Sequence, residues 1–225
     1  MDIGKAFSFV FEDPKWITKM LIGGLVSIVP ILNFAVFGYL LKTAENVAKD
    51  HPQPLPEWSE FGDHFVRGLH AFVISIVYAI PIIVIYVLMI TVSLAGAAAA
   101  DSSEGAGAMA GFAALCLMPI LIIVAIVTGF AVYAAFARYI ANNNSLSAAL
   151  QFGPVLASLR SNFTTWLVLY LVAILASFVG GLGAIACGVG LLLTIPYSYA
   201  VSAHALGQTI KQLNLTAPAN PYTYQ

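Results

Sequence analysis

Three long stretches of this chain, residues 69–100, 105–137 and 161–210, contain no Asp, Glu, Lys or Arg. A helix of a soluble protein shows one face to water and so meets a charged residue every turn or two. Uncharged backbone of this length is stable in hydrocarbon, provided each N–H and C=O is satisfied within the segment, as in a helix. Only 8% of the 225 residues are charged and 60% are hydrophobic, against roughly 25% charged in an ordinary soluble domain. Disorder is excluded as well, because the mean hydropathy is +0.92 and the net charge −1. The composition therefore specifies an all-α, polytopic transmembrane helical bundle.

A hydrocarbon core of roughly 30 Å needs about 20 helical residues to cross it. Applied to the apolar blocks, this predicts four full transmembrane helices, at about residues 69–95, 108–137, 166–187 and 189–206. Residues 17–41 suit either one tilted span or a short hairpin bent at Pro30 and Asn33. Orientation arbitrates, since cytoplasmic loops collect Lys and Arg. With a hairpin or re-entrant segment, Lys5, Lys15, Lys19, Lys42, Lys49, Arg67, Arg138, Arg160 and Lys211 all fall on one side; with a single span the first three lie opposite the rest. The hairpin is preferred, with Pro30 and Asn33 at a membrane apex or cavity and both termini in the cytoplasm. Residues 1–212 are expected to form a single membrane domain and 213–225 a mobile tail.

Ahead of each hairpin lies a stretch with apolar residues at helical spacing: Ile3, Phe7, Val10 and Phe11; Trp58, Phe61, Phe65 and Leu69; Leu146, Leu150, Leu156 and Leu159. Each predicts an interfacial amphipathic helix feeding a membrane hairpin, a threefold pseudo-repeat. Asp13-Pro14 before Trp16 and Ser161-Asn162 before Trp166 mark helix starts with a capping side chain next to an interfacial tryptophan. The first 16 residues lack the basic-then-apolar pattern of a cleaved signal peptide, so the first membrane segment is expected to be retained.

Asp13-Pro14-Lys15-Trp16, Gly38-Tyr39, Asn46, Leu55-Pro56-Glu57-Trp58, Phe61-Gly62-Asp63 and Gly68 resemble the signature of the membrane proteins grouped as domain of unknown function 4013. The resemblance covers residues 1–211, with its sharp motifs in residues 13–68. It implies a prokaryotic multi-pass protein of the cytoplasmic (inner) membrane, and brings no activity, substrate or catalytic residue with it.

Chemistry is sparse. Nine basic and ten acidic residues offer no patch for a run of phosphates, so no nucleic-acid partner is expected. The predicted spans have no ionisable carboxylate or amine of the kind that pumps keep at membrane depth, and no Asp or Glu follows Glu104. Cys116 and Cys187 lie in apolar or Gly-rich sequence, as packed thiols do. His70 and His204 sit near the cytoplasmic ends of their helices, where a pH-responsive or metal-binding pair competes with two interfacial histidines. The loop from residue 50 to 64, with His51, Glu57, Glu60, Asp63 and His64, offers cation ligands but reads better as a Pro-stiffened spacer. The glycines near 105–111 and 180–190 lack the P-loop Lys-Ser/Thr pair and read as turns and close helix contacts.

No catalytic, cofactor or metal residue is therefore expected, and no enzyme. Membrane lipids and a protein partner or second copy are the expected partners, with Trp16, Pro56, Trp58, Phe61 and Phe65 as docking or interfacial residues. The leading reading is a non-catalytic accessory, assembly or scaffold component of a membrane complex. The alternative is a facilitator or permease-like protein for a small neutral or lipidic molecule, suggested by one proline in each of four segments, Pro30, Pro81, Pro119 and Pro196.

Overall fold

A computed structural model describes residues 1–100, 104–185 and 188–215, and every regular element among them is helical. The α-helices are α1 (Ile3–Ser8), α2 (Trp16–Ile28), α3 (Asn33–Ala48), α4 (Phe61–Ala100), α5 (Glu104–Ala141), α6 (Leu146–Ala149), α7 (Phe152–Ser161), α8 (Phe163–Leu182) and α9 (Leu191–Gln212), with short 3-10 turns at Phe9–Glu12, Trp58–Glu60 and Gly183–Ile185. Most of the expected Asp101–Glu104 turn, Cys187 and the tail from residue 216 lie outside the described residues.

Residues 17–41 are not one helix. The chain breaks at residues 29–32, where Pro30 has no N–H to give, and α3 restarts as the Asn33 N–H donates to the Val29 carbonyl at 3.0 Å. With 13 and 16 residues, the arms are about 20 and 24 Å long, short of a hydrocarbon core. Pro30 is exposed at the bend, among Ile28, Val29, Ile31 and Leu32, which are also exposed. At the other helix start, Asn162 precedes α8 without a side-chain capping bond, its amide donating instead to Ser161 Oγ at 2.9 Å. Helix α2 likewise starts without a side-chain capping bond, its N-cap being Lys15, and Asp13 instead accepts the Lys15 N–H at 2.8 Å in the turn before it.

The chain groups into two compact units. Unit 1 combines Met1–Ile74 with the described residues from Tyr133 onward; unit 2 falls within Ser75–Val132, the later part of α4 and the earlier part of α5. Of the three pre-hairpin stretches, residues 61–69 are the opening turns of α4 itself rather than a separate interfacial helix, because nothing after Glu60 interrupts the helix.

Helix α9 is the hub of unit 1, lying against α1, α2, α3 and α8. Small residues let the others close on it, among them Ala200, Ala203, Ala205 and Gly207, all buried. Pro196 fixes one contact: it cannot donate to the Leu192 carbonyl one turn earlier, and that carbonyl faces the backbone of Gly24 on α2. A Cβ at Gly24 would stand 2.0 Å from the Leu192 oxygen. A second crossing is reciprocal. Gly38 of α3 meets the His64 carbonyl and Gly68 of α4 meets the Phe34 carbonyl, and a Cβ at either glycine would come within 1.7 Å. Both crossings are helix contacts of the small-residue type, close enough for Cα–H···O interaction. The expected small-residue surface at Gly180 is used inside the chain, where the Gly180 carbonyl accepts from Thr194 Oγ1 of α9 at 2.7 Å.

Among the described residues, three helical stretches are long and apolar enough to cross a membrane: Trp58–Ala100, Gly107–Ala141 and Phe163–Ile185. The fourth expected span, α9, is not among them. Surrounded by protein, it tolerates Ser198, His204 and Thr209 buried along its length, and needs no lipid-compatible surface all round. Trp58–Ala100 and Gly107–Ala141 are the reverse: in an 18-residue apolar window of each, 11% and 0% are buried within the chain.

Candidate functional site

The loop after α3 folds back over α2 and α3 and is held there by side chains from four segments. Lys19, alone among apolar neighbours on α2, is buried; its ammonium lies 2.7 Å from Asp13 Oδ2, 2.8 Å from the Leu55 carbonyl and 3.2 Å from Glu57 Oε1. Burying an ammonium is costly unless it is both paired and hydrogen-bonded, and here it is both. Trp58 Nε1–H donates to the Lys19 carbonyl at 2.9 Å, and its ring stacks on Tyr39 with centroids 4.5 Å apart and 12° between planes. His64 stands edge-on to both rings. Its Nε2 lies 3.0 Å from the Glu57 carbonyl, so Nε2 carries the proton. Its Nδ1 and the Tyr39 hydroxyl, both buried, have no hydrogen-bond partner among the described residues. Asn46 donates to the Pro54 carbonyl at 2.9 Å, fixing the near end of the loop.

Beside this clasp, Arg67 of α4 joins three segments, donating to Glu45 at 2.6 Å, Asp63 at 2.8 Å and Asn144 at 3.1 Å. Glu45 also pairs with Lys49 and Lys42. Burial alone would raise its carboxyl pKa, but hydrogen bonds from Lys49 and Arg67 and the charges of Arg67 and Lys42 outweigh that and hold it at about 2, against an ordinary 4.5. A depressed carboxylate contributes stability that is complete above its unfolded value and is lost as pH falls through its folded one. Glu45→Gln is therefore expected to lower the unfolding temperature at neutral pH, with the gap to the parent closing as pH falls from 4.5 to 2. Melting curves across that range in detergent check this, and a gap independent of pH would contradict it.

The residues of the resemblance now have places. Asp13, Tyr39, Leu55, Glu57 and Trp58 form the clasp, Asn46 anchors its loop, Asp63 holds Arg67, and Gly38 and Gly68 make the reciprocal crossing. Gly62 alone has open space around it. A family model described as "Protein of unknown function (DUF4013)" matches residues 22–189. The chain belongs to the DUF4013 family. No curated protein and no solved structure matches it. The DUF4013 match opens at Ile22, so Asp13 and Lys19 precede it, although the loop they clamp lies inside it.

The expected docking residues divide. Pro56 is buried and Trp58 is half-buried in the clasp. Trp16 is half-buried and edge-on to Phe11 at 5.0 Å, with Phe11 the more exposed of the two. Phe65 packs near Phe34 at 6.1 Å, and Phe61 is half-buried at the start of α4. At the hairpin bend, Pro30 is exposed and Asn33 half-buried.

The histidines and carboxylates of the loop diverge: Asp50 pairs with Lys211, Glu57 with Lys15 and Lys19, and Asp63 with Arg67, while His64 turns inward. Among the described residues no group of three or more His, Cys, Asp or Glu is placed to hold a metal ion. His70 and His204 have separate partners, the Tyr139 hydroxyl at 2.9 Å and the Gln208 amide at 3.0 Å. The sequence reading missed the Lys19–Asp13 pair, although a lone lysine inside an apolar helix was a signal for it. It also missed the surroundings of His204, which no spacing foretells.

Proposed function

We propose that this DUF4013 protein is a non-catalytic scaffold or accessory component of a complex in the cytoplasmic membrane, with both termini on the cytoplasmic side. The observation that carries the reading is the bareness of the long apolar helices. Outward-facing Phe112, Leu115 and Ile123 of α5 are 70%, 69% and 61% exposed, and a contiguous apolar surface of this extent is covered by lipid or by protein. The clasp supports the same reading, since most of its signature side chains are engaged in holding one another. Lys19 ties α2 to Asp13 and to the loop after α3, Arg67 ties α4 to Glu45 of α3, and Lys211 ties the last turn of α9 to Asp50 just after α3, a grouping of basic residues that supports the cytoplasmic orientation.

The facilitator reading draws less support from the prolines than their number suggests. Helices α4 and α5 continue through Pro81 and Pro119, and the carbonyl that Pro196 frees faces Gly24.

Photo-crosslinking residues at Phe112, Leu115 and Ile123, activated in membranes of the native host, test the proposal. A protein adduct of one defined mass, stoichiometric with the chain by mass spectrometry, is expected. Lipid adducts alone at all three positions would remove the scaffold role.

A further inference from the structure

A cleft of about 590 Å³ opens in unit 1 between α1, the loop after α3 and the last turns of α9, within the size range of small-molecule sites. His204 lines it while only 4% exposed, with its ring against Phe9 at 4.3 Å. The orientation of this imidazole is fixed by a chain of hydrogen bonds. The Asp2 N–H donates to Gln208 Oε1 at 2.6 Å, and Gln208 Nε2 donates back to the Asp2 carbonyl at 2.9 Å, which settles the two ends of the amide. The same Nε2 lies 3.0 Å from His204 Nδ1. Because an amide NH₂ only donates, Nδ1 must accept and the ring proton sits on Nε2. That Nε2–H has no partner among the described residues and is not sealed from solvent, so it is a donor available to the cleft.

Around this donor the charges are already balanced. Lys5 pairs with Glu12 at 2.6 Å and Lys211 with Asp50, and all four line the cleft, together with Met1, whose ammonium donates to Gln212, and Asp2, whose carboxylate accepts the Lys5 N–H. A lone anion entering here meets Glu12, Asp50 and the C-terminal ends of α3 and α9, whose unpaired carbonyls carry partial negative charge. A lone cation finds Glu12 and Asp50 taken by lysines and Asp2 engaged as the N-cap of α1. A molecule carrying both charges fits without leaving either uncompensated, its oxyanion on the His204 N–H and a lysine, its ammonium on the carboxylate that lysine releases.

We propose that this cleft binds a small zwitterion, with a phosphate or carboxylate oxygen accepting from His204 Nε2–H and an ammonium paired to Asp50. The phosphoethanolamine group is the simplest member, whether free or as a lipid headgroup. The site stands apart from the scaffold role and is tested separately from it.

The experiment is calorimetric titration of the full chain, in nanodiscs of phosphatidylglycerol, with O-phosphoethanolamine, inorganic phosphate and ethanolamine. Saturable binding of O-phosphoethanolamine is expected, with each half-molecule weaker by about tenfold or more, the loss of one charge-assisted contact. His204→Phe, which keeps the ring against Phe9 and removes the donor, is expected to weaken O-phosphoethanolamine by a similar factor. Asp50→Asn, at an exposed position, is expected to weaken it as well and serves if His204→Phe does not fold. Repeating the titration in phosphatidylethanolamine nanodiscs separates the sources: weaker apparent binding identifies the lipid headgroup as occupant, unchanged binding a free zwitterion. The proposal is overturned by absence of saturable binding, by phosphate binding equally well, or by Asp50→Asn retaining full affinity.

Discussion

A Gly24→Val variant is expected to fail to assemble unit 1. The first carbon added at this position would lie 2.0 Å from the Leu192 carbonyl oxygen and 2.8 Å from Leu192 Cα. Both are backbone atoms of a helix, so no rotamer change relieves the clash. Helix α2 would have to move off α9, uncovering Met20 and Trp58 and stranding the Leu192 carbonyl that Pro196 leaves without a donor. Overpacking of a close interface costs about 1–3 kcal/mol when side chains can yield, and with backbone on the receiving side the upper end or beyond is expected. Size-exclusion profiles and melting curves in detergent read the result. The comparison variant is Gly153→Ala on α7, where no heavy atom lies within 4 Å of the new Cβ; it is expected to melt within a few degrees of the parent. If Gly24→Val elutes and melts like the parent, the helix contact described for α2 and α9 is wrong.

The second large effect is expected at Lys19. Lys19→Met keeps the length and removes the charge, leaving the Asp13 carboxylate, 5% exposed, without its cation. Breaking a buried pair from one side typically costs about 3–5 kcal/mol, much of it the penalty on the abandoned partner. The double variant Asp13→Asn/Lys19→Met removes that penalty while keeping an acceptor for the Lys15 N–H, and most of the lost stability is expected to return. Unfolding followed by tryptophan fluorescence suits the measurement, because Trp58 donates to the Lys19 carbonyl. A double variant no more stable than Lys19→Met alone would mean that Lys19 acts through its bonds to the Leu55 carbonyl and Glu57 rather than through Asp13.

What was legible in the sequence follows from the range over which each force acts. The charge-free stretches announced the long helices because the cost of burying charge in hydrocarbon is paid residue by residue, with no help from tertiary structure. The bend at Pro30 was legible for the same reason, being a local loss of a donor. The clasp was not. Lys19 reaches Leu55 and Trp58 across 36 and 39 positions, and no periodicity connects residues so far apart. Trp58 could be read only as one apolar position on a helical face, whereas it occupies a 3-10 turn and lies flat on Tyr39. Helix α9 misled in the opposite direction. Its serines, threonines and histidine look like a weak membrane span, and only the helices placed around it explain why such residues are affordable there. The cleft depends on Asp2 meeting Gln208, 206 positions away, and stays invisible until the chain ends meet.

Because α9 is the element against which α1, α2, α3 and α8 all lie, and follows all four of them along the chain, the ribosome delivers the keystone after the helices that lean on it. Until Leu191–Gln212 has emerged, the Gly24 face has nothing to close upon and the α2–α3 arms, too short to cross a bilayer, must wait unsupported. A nascent chain of this protein thus exposes those faces until α9 emerges, and its quality control hinges on the translation of that helix. A premature stop ahead of α9 would therefore leave an orphan for proteolysis rather than a shortened but serviceable protein.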